Sequence, residues 1–147
     1  MAKAYQTISM PTFKGMAPGL NAYGQISNMA WTPATIQLTG ARTLKASESG
    51  AFIHNVGMTA AVTLTLPAIS DGPFYFKILQ GAGYAITVTS ATADTIITFN
   101  DAAADSVTFS TSSEILGGHY EVYCDGTSLF VLPILASEAQ TVTIATN

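Results

Sequence analysis

Charge is the scarcest property of this chain. Its 147 residues hold five Lys and Arg against nine Asp and Glu, 10% charged in all with a formal net charge of −4. Ordinary soluble domains carry roughly 25%. Lys3, Lys14, Arg42, Lys45 and Lys77 form no cluster, so the electrostatic footprint of a nucleic-acid binder is missing. A single cysteine, Cys124, excludes an internal disulfide and a cysteine-based metal site. Two histidines without companions make no zinc site. No run of about 18 apolar residues is present to cross a membrane as a helix, and the start of the chain lacks the three-part layout of a secretory signal. The chain is therefore expected to be made in the cytoplasm, with neither nucleic acid nor membrane as partner. Low charge with a mean hydropathy of +0.36 implies that much of its surface is covered in the working state.

Residues 1–34 are rich in large apolar side chains yet cannot fold alone. Met10, Phe13, Met16, Leu20, Tyr23, Ile26, Met29 and Trp31 are interleaved with Pro11, Gly15, Pro18, Gly19, Gly24 and Pro33, which break helices and ladders every few residues. A disordered linker would be poor in such side chains. The segment reads as an extended arm that orders on its own barrel, a sister subunit or a larger assembly, with Met10, Phe13, Tyr23, Ile26, Met29 and Trp31 as its partner-binding anchors. Large apolar groups of this kind concentrate binding energy.

Period-two alternation takes over from residue 35. Val62, Leu64 and Leu66 alternate with Thr63 and Thr65; Phe74, Phe76 and Ile78 with Tyr75, Lys77 and Leu79; Tyr84, Ile86 and Val88 with Ala85, Thr87 and Thr89. Such alternation predicts half-buried strands. Further strands are expected at 36–39, 43–46, 52–56, 95–99, 106–109, 119–124, 127–132 and 141–145, with 100–105 as a loop. Asp125-Gly126 is the strongest hairpin signal. Short strands at 8–12-residue spacing predict an all-β, jelly-roll-like β-sandwich or barrel over 35–135, followed by a C-terminal tail or strand over 136–147. No fixed repeat is visible, which argues against a solenoid. Several strands look apolar on both faces, and Ile53, Leu79 and Phe130 are expected on an outer face covered by subunit contacts or by the arm.

No catalytic, cofactor or metal site is expected. Asp94, Asp101 and Asp105 bracket one loop with oxygens suited to calcium, but the spacing fits no calcium-binding loop, and Asp commonly closes turns. Glu114, Glu121 and Asp125 form no recognisable acid–base pair, and Glu121 and Asp125 fall on the solvent side of a hairpin. His54, in phase with Phe52 and Val56, reads as a hydrogen-bonded core or interface imidazole, and His119 as exposed. Cys124 shares the inward phase of Tyr120 and Val122 and behaves as a small apolar residue. Gln80-Gly-Ala-Gly-Tyr84 has no helix after it to hold a phosphate, so it reads as a hairpin turn.

The segment from Ser49 to Phe99 resembles β-domains of tailed bacteriophages. A Gly-led strand ends in Asn55, a threonine-rich strand closes on Leu66-Pro67, and Gly72-Pro-Phe-Tyr-Phe76 precedes an Ile-Thr-Val strand and an Asp-Thr-Ile turn. The pattern is similar to head decoration (capsid cement) proteins and to some tail-fibre and appendage modules. It implies a non-enzymatic virion protein on the outer surface of the capsid. Its partners would be the major capsid protein, which it would bridge, and further copies of itself, most simply as a homotrimer. The alternative implied is an appendage module binding a host surface glycan. The resemblance brings no site residues with it.

Overall fold

The structure, a computed structural model, describes residues 33–99, 101–110 and 114–146, together with the backbone of two short strands near the N-terminus. The chain divides after Thr32 into two units. In the first, β1 (Gly19–Leu20) pairs antiparallel with β2 (Ile26–Ser27).

The second unit is all-β, with two mixed sheets and, among the described residues, two short 3-10 turns, Ala46–Glu48 and Ile69–Asp71. Its strands are β3 (Thr35–Gln37), β4 (Arg42–Thr43), β5 (Phe52–His54), β6 (Val62–Thr65), β7 (Phe74–Leu79), β8 (Ile86–Thr89), β9 (Ile96–Thr98), β10 (Asp101–Ala104), β11 (Ser106–Phe109), β12 (His119–Cys124), β13 (Leu129–Ile134) and β14 (Val142–Ala145). One sheet runs β10-β9-β13-β12-β7-β5-β3 and the other β14-β11-β8-β6-β4. Inward side chains of both sheets make one core, in which Ile53, Leu64, Phe76, Ile78, Ile86, Phe109, Tyr120 and Val122 have no accessible surface.

The first six strands of this unit alternate between the sheets. β3, β5 and β7 stack in parallel in one, and β4, β6 and β8 in the other. They thus wind as three turns of a two-faced coil. The absence of a fixed repeat argued against such winding, and the reason is visible in the corners. The connections differ in length and include the two 3-10 turns, so equivalent positions never recur at one period. The β12–β13 hairpin then inserts between β7 and β9, and β11 and β14 extend the second sheet antiparallel. Asp125-Gly126 turns that hairpin as its dipeptide predicts. Gly126 has φ +91°, and the Asp125 carboxylate accepts the N–H groups of Thr127 and Ser128 at 2.7 Å.

Buried polar side chains hold the corners. Asn55 and Gln80, neither with accessible surface, knit the β7–β8 connection together. Asn55 Oδ1 accepts Gly81 N–H at 2.7 Å and Ala82 N–H at 3.0 Å, while its Nδ2 donates to the Tyr84 carbonyl at 2.6 Å. Gln80 donates to the carbonyls of Ala82 and Tyr84 and accepts Ile86 N–H at 2.9 Å. The Ile86 N–H is the buried group among these, and leaving it unpaired would cost about 1–3 kcal/mol; the other bonds fix the partly buried corner backbone. Gln140 fixes a corner near the C-terminus, accepting Ala136 N–H at 2.6 Å and donating to the Leu116 carbonyl at 3.1 Å. The segment 80–84 is consequently a corner between sheets rather than a hairpin turn. Tyr84 is 45% exposed, out of phase with Ile86.

Tyr120 ties the sheets to each other. It rises from β12, and its hydroxyl accepts Phe109 N–H from β11 and donates to the Ile86 carbonyl of β8, both at 2.9 Å. The β8–β11 register pairs Thr108 with Thr87, so Phe109 and Ile86 come next, and the phenol bridges the ladder where its two strands part. Burial pushes the phenol well above its ordinary pKa, opposed by the hydrogen bonds from Phe109 and Thr108.

One further expectation changes. The 100–105 segment is not simply a loop, because Asp101–Ala104 pairs with β9 through an irregular register. The expected C-terminal strand is present as β14, paired with β11 of its own chain over four residues.

Candidate docking surface

The two outer faces of the sandwich differ in kind. On the five-stranded sheet, Thr63, Thr87, Thr108 and Thr143 are cross-strand neighbours, and Thr43, Thr65, Thr89, Ser106 and Ala145 form the next row. Hydroxyls dominate this face, and Thr87 and Thr108 hydrogen-bond to each other at 2.7 Å. Alternation of Thr with Val, Ile and Leu put it there.

The seven-stranded sheet carries the apolar second face. Register places Phe130, Tyr123 and Tyr75 in one row, Leu132, Glu121, Lys77 and Phe52 in the next, and Ile134, His119, Leu79 and His54 in the third. Tyr123 is 51% exposed, Leu132 47%, Tyr75 38% and Ile134 38%, while Phe52, Leu79 and Phe130 are half-buried. The rings of Tyr123 and Phe130 lie 6.3 Å apart. Lys77 and Glu121 form an ion pair at 3.6 Å in the middle row. An exposed apolar patch rimmed by polar groups is the ordinary mark of an interaction surface.

Sequence reasoning placed Leu79 and Phe130 on this face but assigned Ile53 to it wrongly. Ile53 is wholly buried and Phe52 takes the outward position. Alternation tells that two residues oppose each other, not which one faces in. That choice follows from the parallel register of β5 on β7, which sets Ile53 beside buried Ile78. His54 is likewise not a core residue. It lies half-buried on the outer face, with Nδ1 accepting Val56 N–H at 3.3 Å and its ring 6.2 Å from Phe52.

The remaining candidates serve local structure. Asp101 Oδ1 accepts Ala103 N–H at 2.9 Å, the local role expected of it, whereas Asp105 Oδ1 accepts Asp94 N–H at 2.6 Å across eleven residues and so ties two chain segments together rather than closing a turn. Among the described residues no three His, Cys, Asp or Glu side chains come together. Glu114 accepts Ser137 Oγ at 3.1 Å. Cys124 is buried in the core. A hollow of about 600 Å³ opens between the 37–41 and 56–63 corners, and its lining, which includes Gln37, Thr39, Val56 and Met58, has no titratable side chain. Asn55, Gln80 and Gln140 were missed as structural residues. Isolated amides in β-sequence give no periodic signal, and only the corner geometry shows which backbone groups they satisfy.

Of the expected arm anchors, Met10, Phe13, Tyr23, Met29 and Trp31 lie outside the described residues. Ile26 is described only as backbone in β2, paired with Leu20. The chain matches no known protein family and shows no significant similarity to any curated protein.

Proposed function

We propose that this protein is a structural component of a tailed-bacteriophage virion that decorates the outer surface of the capsid, bridging and stabilising major capsid protein subunits. The observation that carries the reading is the apolar outer face of the seven-stranded sheet, on a chain with 10% charged residues. A surface of that kind is expected to be covered in the working state, and the described side chains converge on no catalytic constellation. The resemblance of residues 49–99 to head decoration proteins supplies the kind of assembly. The arm supplies the reach: with Gly19 paired to Ser27, the remaining residues of the segment still span up to ~85 Å when extended, enough to cross neighbouring subunits. The chain would be made in the host cytoplasm and work without a cofactor.

The test is occupancy on particles. Purified capsids lacking the protein are incubated with the full chain or with a variant lacking residues 1–33, and bound protein is counted by gel densitometry and particle imaging. The full chain should saturate a fixed set of sites, and the truncated chain should leave them empty while retaining its β-sheet circular dichroism. Failure of the full chain to bind any capsid would remove the reading. The exposed Tyr75 and Tyr123 favour a second reading, a glycan-binding appendage module, since aromatic faces stack on sugars. Specific retention on a glycan array, lost on Tyr123→Ala, would select it.

A further inference from the structure

We infer that the outer face of the seven-stranded sheet packs against the same face of a second copy of this chain, about a two-fold axis running along the strands between β7 and β12. This rests on the reading of that face as a covered surface and names what covers it.

The register makes the face self-complementary under that operation. Turning one copy about an axis between β7 and β12 exchanges the positions of the two strands, so each β7 residue meets the β12 residue of its own row. Lys77 then lies over the partner subunit's Glu121, and Tyr75 over the partner subunit's Tyr123. One step outward, Phe52 on β5 meets the partner subunit's Leu132 on β13, because Phe52 shares a row with Lys77 and Leu132 shares one with Glu121. In these two rows apolar meets apolar and cation meets anion, the reciprocity that an isologous interface requires. In the third row Leu79 and His54 meet the partner subunit's His119 and the partner subunit's Ile134, so that imidazoles cover aliphatic side chains at that end of the face. The ion pair already formed within each copy becomes part of an alternating four-charge cluster.

The area fits. Tyr75, Tyr123, Leu132 and Ile134 together leave roughly 400 Å² exposed, and the half-buried Phe52, Leu79 and Phe130 with the polar rim bring the face toward the ~800 Å² per partner of a standard interface. Sheet-on-sheet packing at about 10 Å is also the arrangement that two flat rows of outward side chains adopt. The five-stranded face, lined by hydroxyls, offers no comparable gain. This pair is two-fold where the resemblance to decoration proteins implies a homotrimer, and the oligomeric state measured below separates the two.

The experiment uses the full chain at micromolar concentration in analytical ultracentrifugation. The wild type should sediment as two copies of the 15.3 kDa chain. Lys77→Glu gives a face with two anions and Glu121→Lys a face with two cations, so each variant alone should be monomeric. Mixed one to one they should restore the dimer, because an anionic face then meets a cationic one. Circular dichroism verifies that both variants are folded, and Tyr123→Asp/Leu132→Asp, also outside the core, provides a second route to the monomer. A monomeric or three-copy wild type overturns the proposal, as does a dimer that survives both charge variants or a mixture that stays monomeric. The two readings fail separately. A wild-type monomer whose face variants lose capsid occupancy refutes the pair and leaves decoration standing. A dimer with the expected charge behaviour that binds no capsid does the reverse.

Discussion

Replacing Tyr120 by Phe removes one oxygen and leaves the ring in place. The Phe109 and Tyr120 rings, with centroids 4.7 Å apart, keep their packing, so the change isolates the bridge. Two hydrogen bonds at 2.9 Å disappear. The Ile86 carbonyl retains Thr108 Oγ1 as a donor at 3.2 Å, whereas the Phe109 N–H is left buried without its acceptor. An unpaired buried donor costs about 1–3 kcal/mol and an ordinary net hydrogen bond about 1 kcal/mol, so the expected loss is about 2–3 kcal/mol. At about 4 °C per kcal/mol for a domain of this size, the melting temperature should fall by roughly 8–12 °C. Urea unfolding followed by circular dichroism measures the loss directly, with Tyr123→Phe as the control, because that hydroxyl is on the exposed face. There is also a pH signature. The folded state holds the Tyr120 phenol above its ordinary pKa, so the unfolded chain releases this proton first as pH rises. Stability from this group is intact below pH ~10, the unfolded value, and declines above it. The decline should be shallower in Tyr120→Phe. A loss under about 0.5 kcal/mol, with an unchanged alkaline slope, would refute the bridge.

Three other outcomes are expected. Asn55→Leu should destabilise by about 1–3 kcal/mol in the same urea assay, because the buried Asn55 side chain no longer accepts the partly buried N–H groups of Gly81 and Ala82. Gly118→Ala and Gly81→Ala should differ although both place a Cβ too close to a neighbour. At Gly118 the neighbour is the buried Phe109 ring at 2.7 Å, and about 1–3 kcal/mol is expected; at Gly81 it is a methyl of exposed Val56 at 2.5 Å, which can rotate away, so the melting temperature should move far less. Glu121→Gln should change unfolding stability by less than about 0.5 kcal/mol when measured on the monomeric Tyr123→Asp/Leu132→Asp background, since the Lys77–Glu121 pair is solvent-exposed there.

The sequence by itself determined that residues 35 onward form strands, because period two survives in short runs such as Val62–Thr65 and Phe74–Leu79 and one face of each is strictly apolar. It determined the Asp125-Gly126 turn, whose dipeptide meets the need for a positive φ locally. It showed that apolar side chains exceed what one core can take. What it left open is what depends on partners distant in the chain. Whether Ile53 or Phe52 faces inward was decided by parallel register on β7, and whether 80–84 closes a hairpin or crosses between sheets was decided by Asn55, more than twenty residues upstream. The coil of β3 to β8 was hidden because unequal corners erase any period. Of the two outer sheet faces, one takes apolar rows and the other hydroxyls, because strand order rather than alternation sets which rows stand side by side, while Phe99 and Leu116 stay exposed on connections. Tertiary pairing therefore turned scattered apolar residues into one surface, since local periodicity fixes the side of a strand a residue occupies and only long-range register fixes its neighbours.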